Sequence, residues 1–139
     1  MLPTSPLAVP LTVPPNLPIF TVSQQFYFDA AHTLQRFVAG EAEGSRRIHG
    51  HTYHAEVFVS GPHNPATGMV MDLGLLRERL VAVRAQLDHH LLDEVAGLGM
   101  PTLENLCLFI AAALHDMQPA PSRVRVWRKA LGDACEICV

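Results

Sequence analysis

Apolar and polar residues alternate through residues 20–32, FTVSQQFYFDAAH, where β-branched and aromatic side chains predominate. That pattern predicts a strand. The period of two returns over residues 49–61, HGHTYHAEVFVSG. It assigns His49, His51, Tyr53, Ala55, Val57 and Val59 to one face of a second strand. Gly50, Thr52, His54, Glu56 and Phe58 fall on the other. The intervening TLQRFVAGEAEGSRRI shows no period, is polar and contains glycine, so it is expected to be a long loop. Loops of that length in a compact domain are usually functional or disordered. GPHNPATG, residues 61–68, has the composition of a turn.

Beyond that turn the spacing of apolar residues lengthens to three and four. Leu73, Leu76, Leu80, Val83 and Leu87 form one stripe behind Asp72, a candidate N-cap, and predict a helix running toward LDHHLLDEV. GLGMPT interrupts the chain, and Thr102 is placed to cap a second helix with Leu103, Leu106, Ile110 and Leu114 inward. QPAPS ends it. RVRVW then reads as a third strand, KALGD as a turn and ACEICV as a fourth strand. The expected order is β-β-α-α-β-β, an α+β fold with two helices on one face of an antiparallel sheet.

Composition narrows the function classes. A chain of 139 residues, 49% of them hydrophobic, builds one domain with a real core and is not intrinsically disordered. A net charge of −3 argues against a nucleic-acid binder driven by bulk electrostatics, the local pair Arg46 and Arg47 notwithstanding. Residues 1–19 hold six of the eleven prolines and no basic n-region, which makes a poor signal peptide and a poor membrane helix. They are expected to form an extended arm ahead of a domain spanning 20–139. No later run is long enough to span a bilayer, so a soluble cytoplasmic protein without a membrane partner is expected. Cys107, Cys135 and Cys138 are odd in number and fit a reducing compartment. Cys135 and Cys138, three apart on a strand, would face opposite sides, so their C-x-x-C spacing reads as structural.

The candidate chemistry lies in RIHGHTYH, residues 47–54. His49 and His51 project from one face, and His54 from the other. If the first two strands pair as a hairpin, His32 lies beside His49 and His51. Three histidines without a fourth protein ligand are the donor set of a catalytic zinc, with one position open to water or substrate. Neutral imidazoles leave the full metal charge available to polarise a bound oxygen. The donor set also suits iron or another divalent ion. The plain alternative is three ordinary strand residues.

FDAAHTL, HGHTYHAEVFVSG, TGMVMDLGLL, LDHHLLDEV and PTLENL together resemble the 6-pyruvoyl-tetrahydropterin synthase / 6-carboxytetrahydropterin synthase family over residues 20–139. The resemblance implies a T-fold (tunnelling fold) protomer in a homo-oligomeric ring, commonly a hexamer of two trimers, with the active site at a subunit interface. It implies zinc held by His32, His49 and His51. The implied substrate is 7,8-dihydroneopterin triphosphate, from which the family's lyases eliminate triphosphate. One branch yields the 6-pyruvoyl pterin. The bacterial branch yields 6-carboxytetrahydropterin and acetaldehyde, an early step toward queuosine. Asp88 and His89 fall where the family places an acid–base pair, and Thr102 and Glu104 in the substrate-binding PTLEN motif.

The chain departs from that family at two places. The cysteine that serves as general base, four residues before the first histidine of HGH, is here Ser45, a far weaker base unless activated. Glu43, with Glu41 nearby, is a candidate substitute. The glutamate that anchors the pterin on the third strand is here Arg128, which cannot accept a hydrogen bond. Glu136 on the next strand is a candidate replacement, or Arg128 recognises something anionic. The usual tyrosine near the end is missing from ACEICV. Two readings follow. One is a zinc-dependent lyase acting on dihydroneopterin triphosphate or a related pterin. The other is a divergent paralogue serving as a zinc-containing binding module or acting on a different anionic substrate.

Overall fold

The computed structural model describes residues 17–139. The expected proline-rich arm therefore lies almost wholly outside the described residues. The elements are β1 (Phe20–His32), α1 (Ala39–Arg46), β2 (His49–Gly61), α2 (Leu73–Leu87), a 3-10 turn (Leu92–Glu94), α3 (Leu103–Ala113), β3 (Arg123–Arg128) and β4 (Asp133–Cys138). The strands form one antiparallel sheet in the order β1-β2-β3-β4. This is the expected α+β class, with one correction to the element order.

The segment between β1 and β2 contains a helix instead of an uninterrupted loop. AGEAEGSR buries no residue, so it carries no apolar stripe that a periodicity reading detects. Its support is local. Glu41 lies in the first turn and Arg46 in the last, each matching the helix dipole. Glu43 pairs with Arg47 one turn on, at 3.0 Å.

The strands put their alternate residues into one core. Phe28, Ala30 and His32 of β1, Tyr53 to Val59 of β2 in steps of two, and Val124, Val126 and Arg128 of β3 are all buried. Against them pack Leu76, Leu80, Val83 and Leu87 of α2 and Leu106, Cys107, Ile110 and Leu114 at α3. Each such aliphatic side chain contributes roughly 1.5–3 kcal/mol on burial. Both helices begin where their caps predict. Asp72 Oδ1 accepts from the Gly74 amide at 2.8 Å, and Thr102 Oγ1 from the Asn105 amide at 3.1 Å.

Among the described residues, the other face of the sheet carries no helix. Tyr27, His54 and Trp127 lie side by side there, with the His54 and Trp127 rings stacked at 5.4 Å. β4 alternates as well. Asp133, Cys135 and Ile137 are half-buried, while Ala134, Glu136 and Cys138 are exposed. Cys135 and Cys138 thus face opposite sides, and all three cysteines are free. Among the described residues, no helix is long and apolar enough to cross a membrane.

Candidate metal centre

β1 ends and β2 begins on histidine, and the hairpin register sets His32 opposite His49 and Ala30 opposite His51. The three imidazoles meet at the end of the core. Their ring centroids lie 4.6 Å (His32–His49), 4.9 Å (His32–His51) and 4.7 Å (His49–His51) apart. One nitrogen of each ring lies within 4.8 Å of the other two.

Backbone carbonyls fix which nitrogen is offered. His32 Nδ1 donates to the Pro101 carbonyl at 3.1 Å, and His49 Nδ1 to the Arg47 carbonyl at 2.7 Å. A carbonyl only accepts, so in these two rings Nδ1 carries the hydrogen and Nε2 keeps its lone pair. Such second contacts orient histidine ligands in metal sites. Among the described residues, the buried Nε2 atoms of His32 and His51 have no hydrogen-bond partner. Leaving them so is costly, and a divalent cation held by three imidazoles satisfies them. The residues present fit the metal.

Electrostatics point the same way. Burial is the main cause of a His51 pKa lowered to about 4, helped by the positive charges of His32, Arg128, His49 and Arg36. Burial likewise lowers that of His32. Both rings are neutral near pH 7, the form that binds a metal.

Two cavities are lined by these histidines, and a third borders the first. The first, about 400 Å³, is lined by His49 and His51 together with Arg36, Glu41, Ser45 and Asp133. It brings Ser45 to the histidines. Glu43 is not on its wall. That side chain is exposed, on the salt bridge to Arg47, and Glu41 takes the inward place on α1.

The second cavity, about 420 Å³, is lined by His51, Asp29, His89 and His90. His89 Nδ1 donates to Asp88 Oδ2 at 2.8 Å. Asp88 is held in turn by the Asp29 amide at 2.9 Å and by Arg84 at 3.3 Å. The Asp29 hydrogen bond, then that from His89, holds the Asp88 carboxyl below its usual pKa. It remains an anion that orients His89. His89 itself adopts φ +60°, uncommon for a residue with a Cβ, and its amide donates to the Asp29 carbonyl at 2.7 Å.

The third cavity, about 350 Å³, is lined by Thr102, Glu104, Arg128, Arg36 and Asp133, so it shares the last two residues with the first. Arg128 is only 6% exposed and donates from Nη2 to Asp133 Oδ2 at 2.8 Å. Its Nε and the Tyr53 hydroxyl are buried without a hydrogen-bond partner among the described residues. Burial pushes the Tyr53 pKa up to about 12, against the nearby Arg128 charge, so the phenol keeps its proton.

Glu136 is not brought to this cavity. The alternation of β4 turns it to the opposite face, where it pairs with Arg123 at 3.4 Å. The carboxylate beside Arg128 is Asp133, its register partner across the β3–β4 hairpin. Glu41, Arg36 and Asp133 are among the cavity residues that pattern reading did not select. The short KALGD turn was a usable signal for Asp133, because it sets the strands on either side in register.

Residues 21–137 match the protein family described as 6-pyruvoyl tetrahydropterin synthase. The chain is 35% identical over 104 residues to the 6-carboxy-5,6,7,8-tetrahydropterin synthase of Synechocystis, covering 70% of this chain and 77% of that one. It is 32% identical over 112 residues to the dihydroneopterin monophosphate aldolase of Pyrococcus furiosus, covering 81% and 88%. The solved structure of Caenorhabditis elegans 6-pyruvoyl tetrahydropterin synthase superposes with a TM-score of 0.74 at 23% identity, over 88% of this chain and 97% of that one. The four-stranded antiparallel sheet with its helices is the T-fold of these structures.

Proposed function

The chain belongs to the 6-pyruvoyl tetrahydropterin synthase family, whose members are pterin-metabolising lyases, and from that premise we propose that it is a zinc-dependent lyase acting on 7,8-dihydroneopterin triphosphate or a close phosphorylated relative. The observation that carries this reading is the convergence of the His32, His49 and His51 rings, with the buried Nε2 atoms of His32 and His51 unpartnered beside a cavity. Bound there, zinc would acidify hydroxyls of the substrate side chain and make the adjacent C–H easier to deprotonate.

The protein's own groups divide the proton transfers. Glu41, on the wall of the same cavity, accepts the proton that the family's cysteine takes elsewhere. Ser45 donates or accepts a hydrogen bond to the substrate side chain and is not the base. His89, oriented by Asp88, moves the second proton from the cavity on the other side of His51. Triphosphate leaves as the C–H proton is removed. A reaction of the 6-carboxytetrahydropterin type, feeding 7-deazapurines such as queuosine, is the first to test.

The protein acts in the cytoplasm as a ring, a hexamer of two trimers. The helix-free sheet face, and the edges β1 and β4, which pair with no further strand among the described residues, support assembly. Three free cysteines suit a reducing compartment.

The test is incubation of purified, zinc-loaded protein with 7,8-dihydroneopterin triphosphate, followed by mass spectrometry of pterins and released triphosphate. Equal molar yields of an altered pterin and triphosphate are expected. Bound zinc without turnover would sink the reading. Ser45 favours a second reading, a metal-holding binding module. On that reading, Ser45→Cys creates an activity the native chain lacks; a native chain whose activity falls on that change rules it out.

A further inference from the structure

Arg128 is the largest departure from family pattern, and the structure gives it a setting that neither an anion site nor a plain structural ion pair explains. It lies buried on the inner face of β3, with one donor on Asp133 and a buried Nε–H unpartnered among the described residues. Arg128 and Asp133 both line the cavity, so a ligand seated there meets a guanidinium beside a carboxylate. Asp133 uses Oδ2 toward Arg128 and leaves Oδ1 available. Glu104 lies on the same wall and adds a second carboxylate.

The cavity thus offers a donor beside acceptors. A purely anionic ligand would meet Arg36 and Arg128, but also the carboxylates of Asp133 and Glu104. A ligand edge made only of donors would set its N–H groups against those of the Arg128 guanidinium. A ring edge that carries a carbonyl, then an N–H, then an amine satisfies both sets of groups at once. Arg36 and Asp133 line both this cavity and the one beside His49 and His51, so a ligand anchored here extends toward the histidines. About 350 Å³ is within the range of small-molecule pockets.

We propose that Arg128 and Asp133 act as a pair that reads the 2-amino-4-oxopyrimidine edge of the substrate ring. The guanidinium donates to the 4-oxo oxygen, and the Asp133 carboxylate accepts from the ring N–H and the 2-amino group. This rests on the pterin reading above. It moves the acceptor from position 128 to its partner across the hairpin and gives position 128 a new task, recognition of the carbonyl.

The experiment is titration of the zinc-loaded 139-residue chain with neopterin and with its 2,4-diamino counterpart, in which an amino group replaces the 4-oxo oxygen. The native chain is expected to prefer neopterin by on the order of 100-fold, because the diamino ring turns donors toward Arg128. Arg128→Met is expected to bring that preference to within a few-fold or to invert it. Arg128→Gln, whose amide both donates and accepts, should do the same while keeping a polar group in the cavity. Asp133→Asn is expected to weaken neopterin binding by about 10-fold or more. Circular dichroism melts identify any variant that fails to fold, and the remaining ones decide. A preference unchanged in folded Arg128→Met or Arg128→Gln overturns the pair, as does neopterin binding indifferent to Asp133→Asn, and the pterin reading survives either result. Failure of the native chain to bind either ligand overturns both.

Discussion

His51 couples the metal site to the protonation of the whole fold. Its folded pKa of about 4 lies below the ordinary value of 6.5. Between those two values the unfolded chain takes up a proton that the metal-free folded chain refuses. Stability of the metal-free protein is therefore constant above about pH 6.5 and falls as pH drops toward 4. His32, shifted in the same direction, adds to the fall. Asp88, Asp93 and Asp116 have pKa values held below the ordinary 3.8, so their contribution is lost only at lower pH and does not mask this window. Urea midpoints of chelator-treated protein from pH 8 to 4 check this; a flat trace down to pH 4.5 would contradict it. The acidic residues of α1 give a second expectation at the same scale. Glu41→Gln should lower kcat by on the order of 100-fold or more, the usual worth of a general base. Glu43→Gln removes only an exposed pair with Arg47 and should leave kcat within about two-fold. Steady-state rates of the two variants, measured side by side, separate the assignments.

At the scale of elements, legibility followed burial. β1, β2, α2 and α3 each turn one face to the core, so their periods appear in the residue pattern and their caps mark their starts. Asp72→Ala tests the cap apart from the chemistry. It should cost about 1 kcal/mol in urea unfolding and leave kcat/KM unchanged, because Asp72 lines none of the three cavities described above. A large loss of activity would mean that the start of α2 matters to the site. α1 was illegible because it buries nothing, and with it went the choice between Glu41 and Glu43, which depends on helical phase. The histidine cluster was legible because a hairpin with thirteen paired positions leaves its register no freedom. The Arg128–Asp133 pair was missed for a related reason. Pairing across β3 and β4 depends on the turn at 129–132, where Gly132 takes φ +76°, and residue identities alone drew attention to Glu136 instead.

At the scale of the whole molecule, metal binding and catalysis make different demands on assembly. All three histidines come from one chain, on adjacent strands whose pairing belongs to the protomer fold. The three-histidine cluster therefore forms without a partner. The proposed proton-transfer groups are spread differently. Glu41 lines one cavity at His51, while His89 lines another and is 80% exposed at its side chain. β1 presents an outer edge that is bridged near its end, where Asp29 and Ala31 bond to His89 and His90, and the helix-free face leaves Tyr27 54% exposed, surfaces a ring would cover. If assembly brings one protomer's His89 cavity to the next protomer's Glu41 cavity, catalysis needs the ring and zinc does not. Light scattering should then give six chain masses at micromolar concentration. On dilution through the dissociation range, specific activity should fall together with the hexamer fraction, while zinc per chain stays at one. A chain that remains monomeric yet fully active would refute the interface site. Zinc lost in parallel with the hexamer would mean that the ring, and not the β1–β2 hairpin, holds the three imidazoles in place.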